Sequence, residues 1–201
     1  FAVKAAQPRC EKKEGGVIWE AQGSGKSLIM VWLAEWIHEN IDNSRVVIIT
    51  DREELDEQIS DGFKDTGETI ARAKSGAGLI GMLNEEAPWL LCTLIHKFGK
   101  KNVEGKGDMA GVKSEIPLEK YLEDIVAQLP QGFKAKGNIF VFIDECHRTQ
   151  GGYLHEAMKT IMGKDVMMIG FTGTPLLHTQ KKDTWQTFGP LIHAYRFNEA
   201  V

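Results

Sequence analysis

Cysteine is scarce: the 201 residues hold three, Cys10, Cys92 and Cys146, and none sits at the short spacing of a zinc or redox pair. Such usage excludes a disulfide framework and suits a reducing cytoplasm, where we place the protein. No apolar run approaches the ~18 residues that cross a bilayer, so no membrane partner is expected. The N-terminus lacks a basic region followed by an apolar block, the mark of a secretory signal. The chain begins at Phe1 without a methionine, and we expect a fragment of a longer polypeptide. Excess positive charge is also missing. The formal net charge of −4 argues against a generally basic nucleic-acid coat, although a local groove can still grip DNA.

What is present is ordinary for a globular domain: 42% hydrophobic and 26% charged residues, in a chain long enough to bury a sizeable core. Five short runs rich in apolar residues predict strands: Val17–Ala21, Val46–Thr50, Leu90–Ile95, Ile139–Asp144 and Val166–Thr172. They are apolar on both faces, as parallel strands covered by helices on each side must be. Ser27–His38 is apolar almost all round and predicts a buried helix. Leu118, Tyr121, Leu122, Ile125 and Leu129 mark one face of an amphipathic helix ended by Pro130. Strands alternating with helices imply a single α/β domain with a mostly parallel sheet and helices on both faces. Gly99–Ser114 lacks periodicity and reads as an exposed loop.

Two motifs carry chemistry. Ala21-Gln22-Gly23-Ser24-Gly25-Lys26-Ser27 follows a predicted strand and opens the buried helix, the context of a phosphate loop. Gly23 and Gly25 allow a tight bend that turns backbone N–H groups, including those of Gln22 and Ser24, toward phosphate oxygens. Lys26 would reach the β- and γ-phosphates, and Ser27 would bind Mg²⁺. The pattern's first glycine is here Glu20. An acid so near bound phosphates could weaken nucleotide binding, and it leaves open an ATP-independent scaffold with a decayed loop.

The second motif, Asp144-Glu145-Cys146-His147, lies at the carboxyl end of a predicted buried strand, where open α/β sheets bind ligands. Asp144 would hold Mg²⁺, and Glu145 would orient and activate the attacking water. The acids could instead simply end a strand. A zinc site from Asp144, Cys146 and His147 fits the usual ligand spacing poorly, and a Cys146 nucleophile lacks supporting partners. Coupled with Lys26, the Mg-ATP reading is favoured.

Lys26-Ser27 and Asp144-Glu145-Cys146-His147 resemble motifs I and II of superfamily 2 helicases and translocases, and Phe171-Thr172-Gly173-Thr174-Pro175 resembles their motif III. Further segments are similar to the type I restriction enzyme motor subunit: Gly15-Gly16-Val17-Ile18-Trp19, Thr50-Asp51-Arg52-Glu53-Glu54-Leu55, Thr93-Leu94-Ile95-His96-Lys97-Phe98 and Asp144 through Gln150. The resemblance runs in order from near Phe1 to the end. It implies that residues 1–201 form one RecA-like P-loop NTPase lobe, with ATP and Mg²⁺ as cofactors. The second motor lobe, with its arginine fingers, and the nuclease domain would lie outside this chain. It implies translocation on double-stranded DNA coupled to cleavage, with specificity and methyltransferase subunits as partners. Asp51 and Arg52 would lie near the DNA track, and Thr93, His96 and Lys97 in a segment of strand contact. Thr172 and Thr174 would link nucleotide state to the DNA grip through His147. Another superfamily 2 helicase or a remodelling ATPase is the nearest alternative.

Weaker signals are set aside. Gly76-Ala77-Gly78-Leu79-Ile80-Gly81 matches a dinucleotide fingerprint, but Ala71–Ser75 is not a convincing strand. Ser75 is better read as capping a short surface helix. Lys100, Lys101 and Lys106 are more simply solvated than bound to DNA. His155-Glu156 lacks the second histidine of a metalloprotease helix. The five tryptophans are assigned to core and helix packing rather than base stacking.

Overall fold

The computed structural model describes residues 1–21, 23–50, 63, 69–73, 76–94, 126–127, 129–146, 158–173 and 184–195. Its strands are β1 (Gly16–Glu20), β2 (Ser44–Thr50), β3 (Ala71–Ala73), β4 (Leu90–Leu94), β5 (Asn138–Ile143), β6 (Met167–Thr172) and β7 (Leu191–Tyr195). They form one sheet in the order β3-β4-β2-β5-β6-β1-β7, and every pairing is parallel. The helices are α1 (Ala2–Glu11), α2 (Lys26–Asn40) and α3 (Gly76–Asn84), with further helical residues at 158–162 and 184–188.

Alternation along each strand feeds two cores, one per sheet face. Ile139, Val141 and Ile143 of β5 join Leu79, Ile80 and Leu83 of α3 and Met158, Ile161 and Met162. Phe140 and Phe142 point the other way, into a cluster with Ala2, Ala6 and Cys10 of α1 and Met30, Leu33 and Ile37 of α2. Helices therefore cover both faces, as the doubly apolar strands required. The carboxyl ends of all seven strands lie along one rim of the sheet, and β6 stands between β1 and β5.

Several expectations are corrected. Helix α2 is not buried all round: Leu28 and Trp32 are 48% and 53% exposed, on a side that α1 leaves uncovered. Trp185 is also exposed, whereas Trp36 and Trp89 pack, partly buried, against the core as expected. Ala71–Ala73 does form a strand, the short edge strand β3, paired only with β4. The glycines after it lie inside α3 instead of in a loop before a helix, so they form no pyrophosphate cradle. That helix buries Leu79, Ile80 and Leu83, so it is amphipathic and docked rather than a surface helix; Ser75 lies outside the described residues. So do Gly99–Ser114, Leu118, Tyr121, Leu122, Ile125, Lys100, Lys101, Lys106, His155 and Glu156.

Candidate nucleotide site

Strand β1 delivers the chain to the rim at Glu20, and the phosphate loop follows. Gly23 and Gly25 have φ of +85° and +92°, in the left-handed region that a side chain would strain, and Gly25 is the residue that starts α2. Lys26 and Ser27 thus occupy the first turn of α2, whose N–H groups and dipole favour an anion. Ser24 bends back, its hydroxyl 2.6 Å from the Ala21 carbonyl. It also lies 3.2 Å from Glu20 Oε2.

Strand β5 brings the acidic pair to the same rim. The Asp144 N–H donates to Ile49 of β2 and the Cys146 N–H to Phe171 of β6, so both neighbouring strands hold this turn. Close approach to β6 requires Gly170, where a Cβ would sit 2.7 Å from Cys146 Sγ. Glu145 adopts φ +46°, a left-handed conformation that costs a non-glycine residue about 1 kcal/mol or more.

These two segments, 119 residues apart, meet through Lys26. Its Nζ is 2.7 Å from Asp144 Oδ1 and 2.9 Å from Glu145 Oε1. Both acids are buried. Burial pushes the Asp144 carboxyl upward and the Lys26 ammonium pulls it back. Two carboxylates facing one ammonium leave the site short of positive charge, and hard oxygen donors of this kind suit Mg²⁺. Cys146 is buried beside them with its thiol pushed up to about 12 by burial and by the two acids, which opposes a thiolate nucleophile.

Thr50, at the end of β2, was not singled out from sequence. Its hydroxyl lies 3.4 Å from Asp144 Oδ2, brought there by the β2–β5 register that pairs Ile49 with Ile143. His193 of β7 was missed for the same reason: its Nε2 is 3.7 Å from Glu20 Oε1. Thr172 is buried at the end of β6, which lies between β1, leading into the loop before Lys26, and β5, leading into Asp144. Thr93 is buried in β4, and its hydroxyl has no hydrogen-bond partner among the described residues. Gln22, Asp51, Arg52, His96, Lys97, His147 and Thr174 lie outside the described residues.

A cleft of about 500 Å³ opens beside the loop, where Glu20, Ser24 and Gly25 share a wall with Leu28, Trp32 and Tyr195. It accounts for the exposed apolar side of α2.

Comparison with known proteins agrees with this geometry. The chain is 28% identical, over its full length, to a type I restriction enzyme endonuclease subunit of Staphylococcus aureus (strain COL) and spans 20% of that protein. The Hef helicase domain of Pyrococcus furiosus shares the fold with a TM-score of 0.61 at 16% identity, covering 96% of this chain and 37% of that one. A nuclease-deletion mutant of the type ISP restriction-modification enzyme LlaGI, in complex with a DNA substrate mimic, also gives 0.61, at 13% identity over 99% of this chain and 19% of its own. The expected RecA-like architecture is thereby borne out. The profile of the SWI2/SNF2 ATPases matches residues 1–201 without remainder, and with a phosphate loop and an acidic pair joined through Lys26, the chain belongs to the SWI2/SNF2 ATPase family.

Proposed function

We propose that this chain is the ATP-binding lobe of the motor subunit of a type I restriction-modification enzyme, driving translocation on double-stranded DNA coupled to cleavage. The observation that carries the reading is the contact of Lys26 with both Asp144 and Glu145 at the rim of the sheet. The phosphate loop, the α2 N-terminus and Lys26 bind the triphosphate, and the adjacent cleft takes the nucleoside end. Ser27 and Asp144 would hold Mg²⁺, which neutralises phosphate charge when bound. Asp144 and Glu145 both give up Lys26 when the phosphates arrive, and Glu145 then accepts a proton from the water it aligns for in-line attack. Most of the rate gain comes from positioning and charge stabilisation rather than covalent chemistry.

Thr172 stands between the two catalytic segments and is suited to sense the nucleotide; Thr174 and His147 would carry that signal. Asp51, Arg52, Thr93, His96 and Lys97 are assigned to the DNA side, with Thr93 acting from a buried place rather than by open contact. A separate specificity subunit would read the DNA site, with methyltransferase subunits as further partners, in the cytoplasm. Because the arginine fingers of the resembling motors lie in a second lobe, the isolated chain is expected to bind nucleotide weakly and turn it over barely.

ATP hydrolysis by the assembled parent complex, with and without linear duplex DNA, tests the reading. Duplex should stimulate turnover, and Lys26→Ala should reduce it by ~100-fold or more, as removal of a transition-state charge contact does. Equal turnover in the variant would refute the assignment, and strand unwinding by the complex would favour a helicase.

A further inference from the structure

Glu20 stands where the phosphate-loop pattern has its first glycine, and none of the chemistry above uses its carboxyl. It is 3% exposed, and it lines the cleft together with Ser24 and Gly25. A carboxylate there would repel the phosphates that the same loop is shaped to receive.

The hydrogen bonding points to a different state. The Ser24 hydroxyl has one proton, and its shorter contact, 2.6 Å, is with the Ala21 carbonyl, which can only accept. With that proton on Ala21, the 3.2 Å contact between Ser24 Oγ and Glu20 Oε2 becomes a second full hydrogen bond when a protonated carboxyl donates. We propose that Glu20 is a positioning residue that works in its protonated form: its O–H donates to Ser24 Oγ, Ser24 donates to Ala21 O, and the two bonds hold the phosphate loop ready for nucleotide. The proposal rests on the nucleotide reading of the site.

The surroundings fit. Burial pushes the Glu20 carboxyl above its ordinary 4.5, while Ser24 and His193 act to lower it. The Ser24 influence lapses once its proton is committed to Ala21. His193 Nε2, at 3.7 Å, is beyond hydrogen-bond distance, and Tyr195 also lines the cleft. Lys26 is turned toward Asp144 and Glu145 and does not pair with Glu20. The sign follows directly. As pH rises through the elevated value, Glu20 loses its proton, Ser24 loses its donor, and a negative charge joins the phosphates. Nucleotide affinity is full at acid pH and falls toward alkaline pH.

The test compares Mg-ATP affinity of the intact polypeptide with that of Glu20→Gln between about pH 5 and about pH 9. Glutamine keeps the donor and cannot ionise, so the ratio of the two affinities cancels the titration of the nucleotide itself. That ratio should drop by about tenfold or more across the range. The infrared carbonyl band of a protonated carboxyl should be present in nucleotide-free protein at the acid end of that range, fade as pH rises and be missing in Glu20→Gln. Parallel affinity profiles, or no such band, would overturn the role of Glu20 alone. A protein that shows the band and binds no nucleotide at any pH would overturn the nucleotide reading and this role with it.

Discussion

Lys26 is the shared cation of Asp144 and Glu145, so each of the three has a structural partner besides the role proposed for it. Removing the lysine would leave two buried carboxylates without their shared cation, which is costly in a poorly solvated place. Thr50 acts at one remove, as its hydroxyl restrains the Asp144 oxygen that does not face Lys26. Thr50→Val keeps the shape and deletes that hydrogen bond, and it should weaken Mg-dependent nucleotide binding by about tenfold. Titration calorimetry with and without Mg²⁺ would check this, and unchanged Mg²⁺ dependence would dismiss Thr50 as mere packing. At this scale the contiguous motifs were legible in the sequence because their chemistry fixes both residue type and spacing. Thr50 and His193 were not, because only strand register brings β2 beside β5 and β7 beside β1.

Elements show the same division. The five strands with long apolar runs were readable, with ends shifted by a residue or two. Strand β3 escaped because three residues, one of them arginine, carry no hydrophobic signature at a sheet edge. Strand β7 is also an edge strand, and its half-exposed residues blur the pattern. Helix α1 contains Pro8 and buries only small residues, Ala2, Ala6 and Cys10, so neither propensity nor hydrophobicity announced it. Arg45 of β2 is a further surprise. It is buried and spends its guanidinium on five carbonyls: Met82, Leu83, Glu85, Pro88 and Lys136. Two of these end α3, which has no basic residue in its own last turn. Arg45→Met should therefore lower unfolding free energy by about 3–5 kcal/mol, since it orphans several buried acceptors. Arg45→Lys should recover little of it, because an ammonium cannot span that fork. Urea denaturation decides, and a loss below about 1 kcal/mol would mean that water replaces the lost donors.

At the scale of the whole molecule, a net charge of −4 argues against general attraction for polyanions, so any such ligand has to be held by local groups. All seven parallel strands direct their carboxyl ends to that rim, and the chemistry gathers at the three that deliver Glu20, Thr50 and Asp144. The chain spans about a fifth of the restriction subunit it matches. The central claim is that Lys26, Ser27 and Asp144 form a Mg-nucleotide site. Its most direct test is the affinity of the 201-residue chain for a non-hydrolysable ATP analogue, measured with and without Mg²⁺ and repeated with Asp144→Asn. The account predicts binding that Mg²⁺ strengthens by about tenfold or more, a gain that Asp144→Asn abolishes. Binding that ignores both Mg²⁺ and the substitution, or no binding at all in a folded chain, would contradict it.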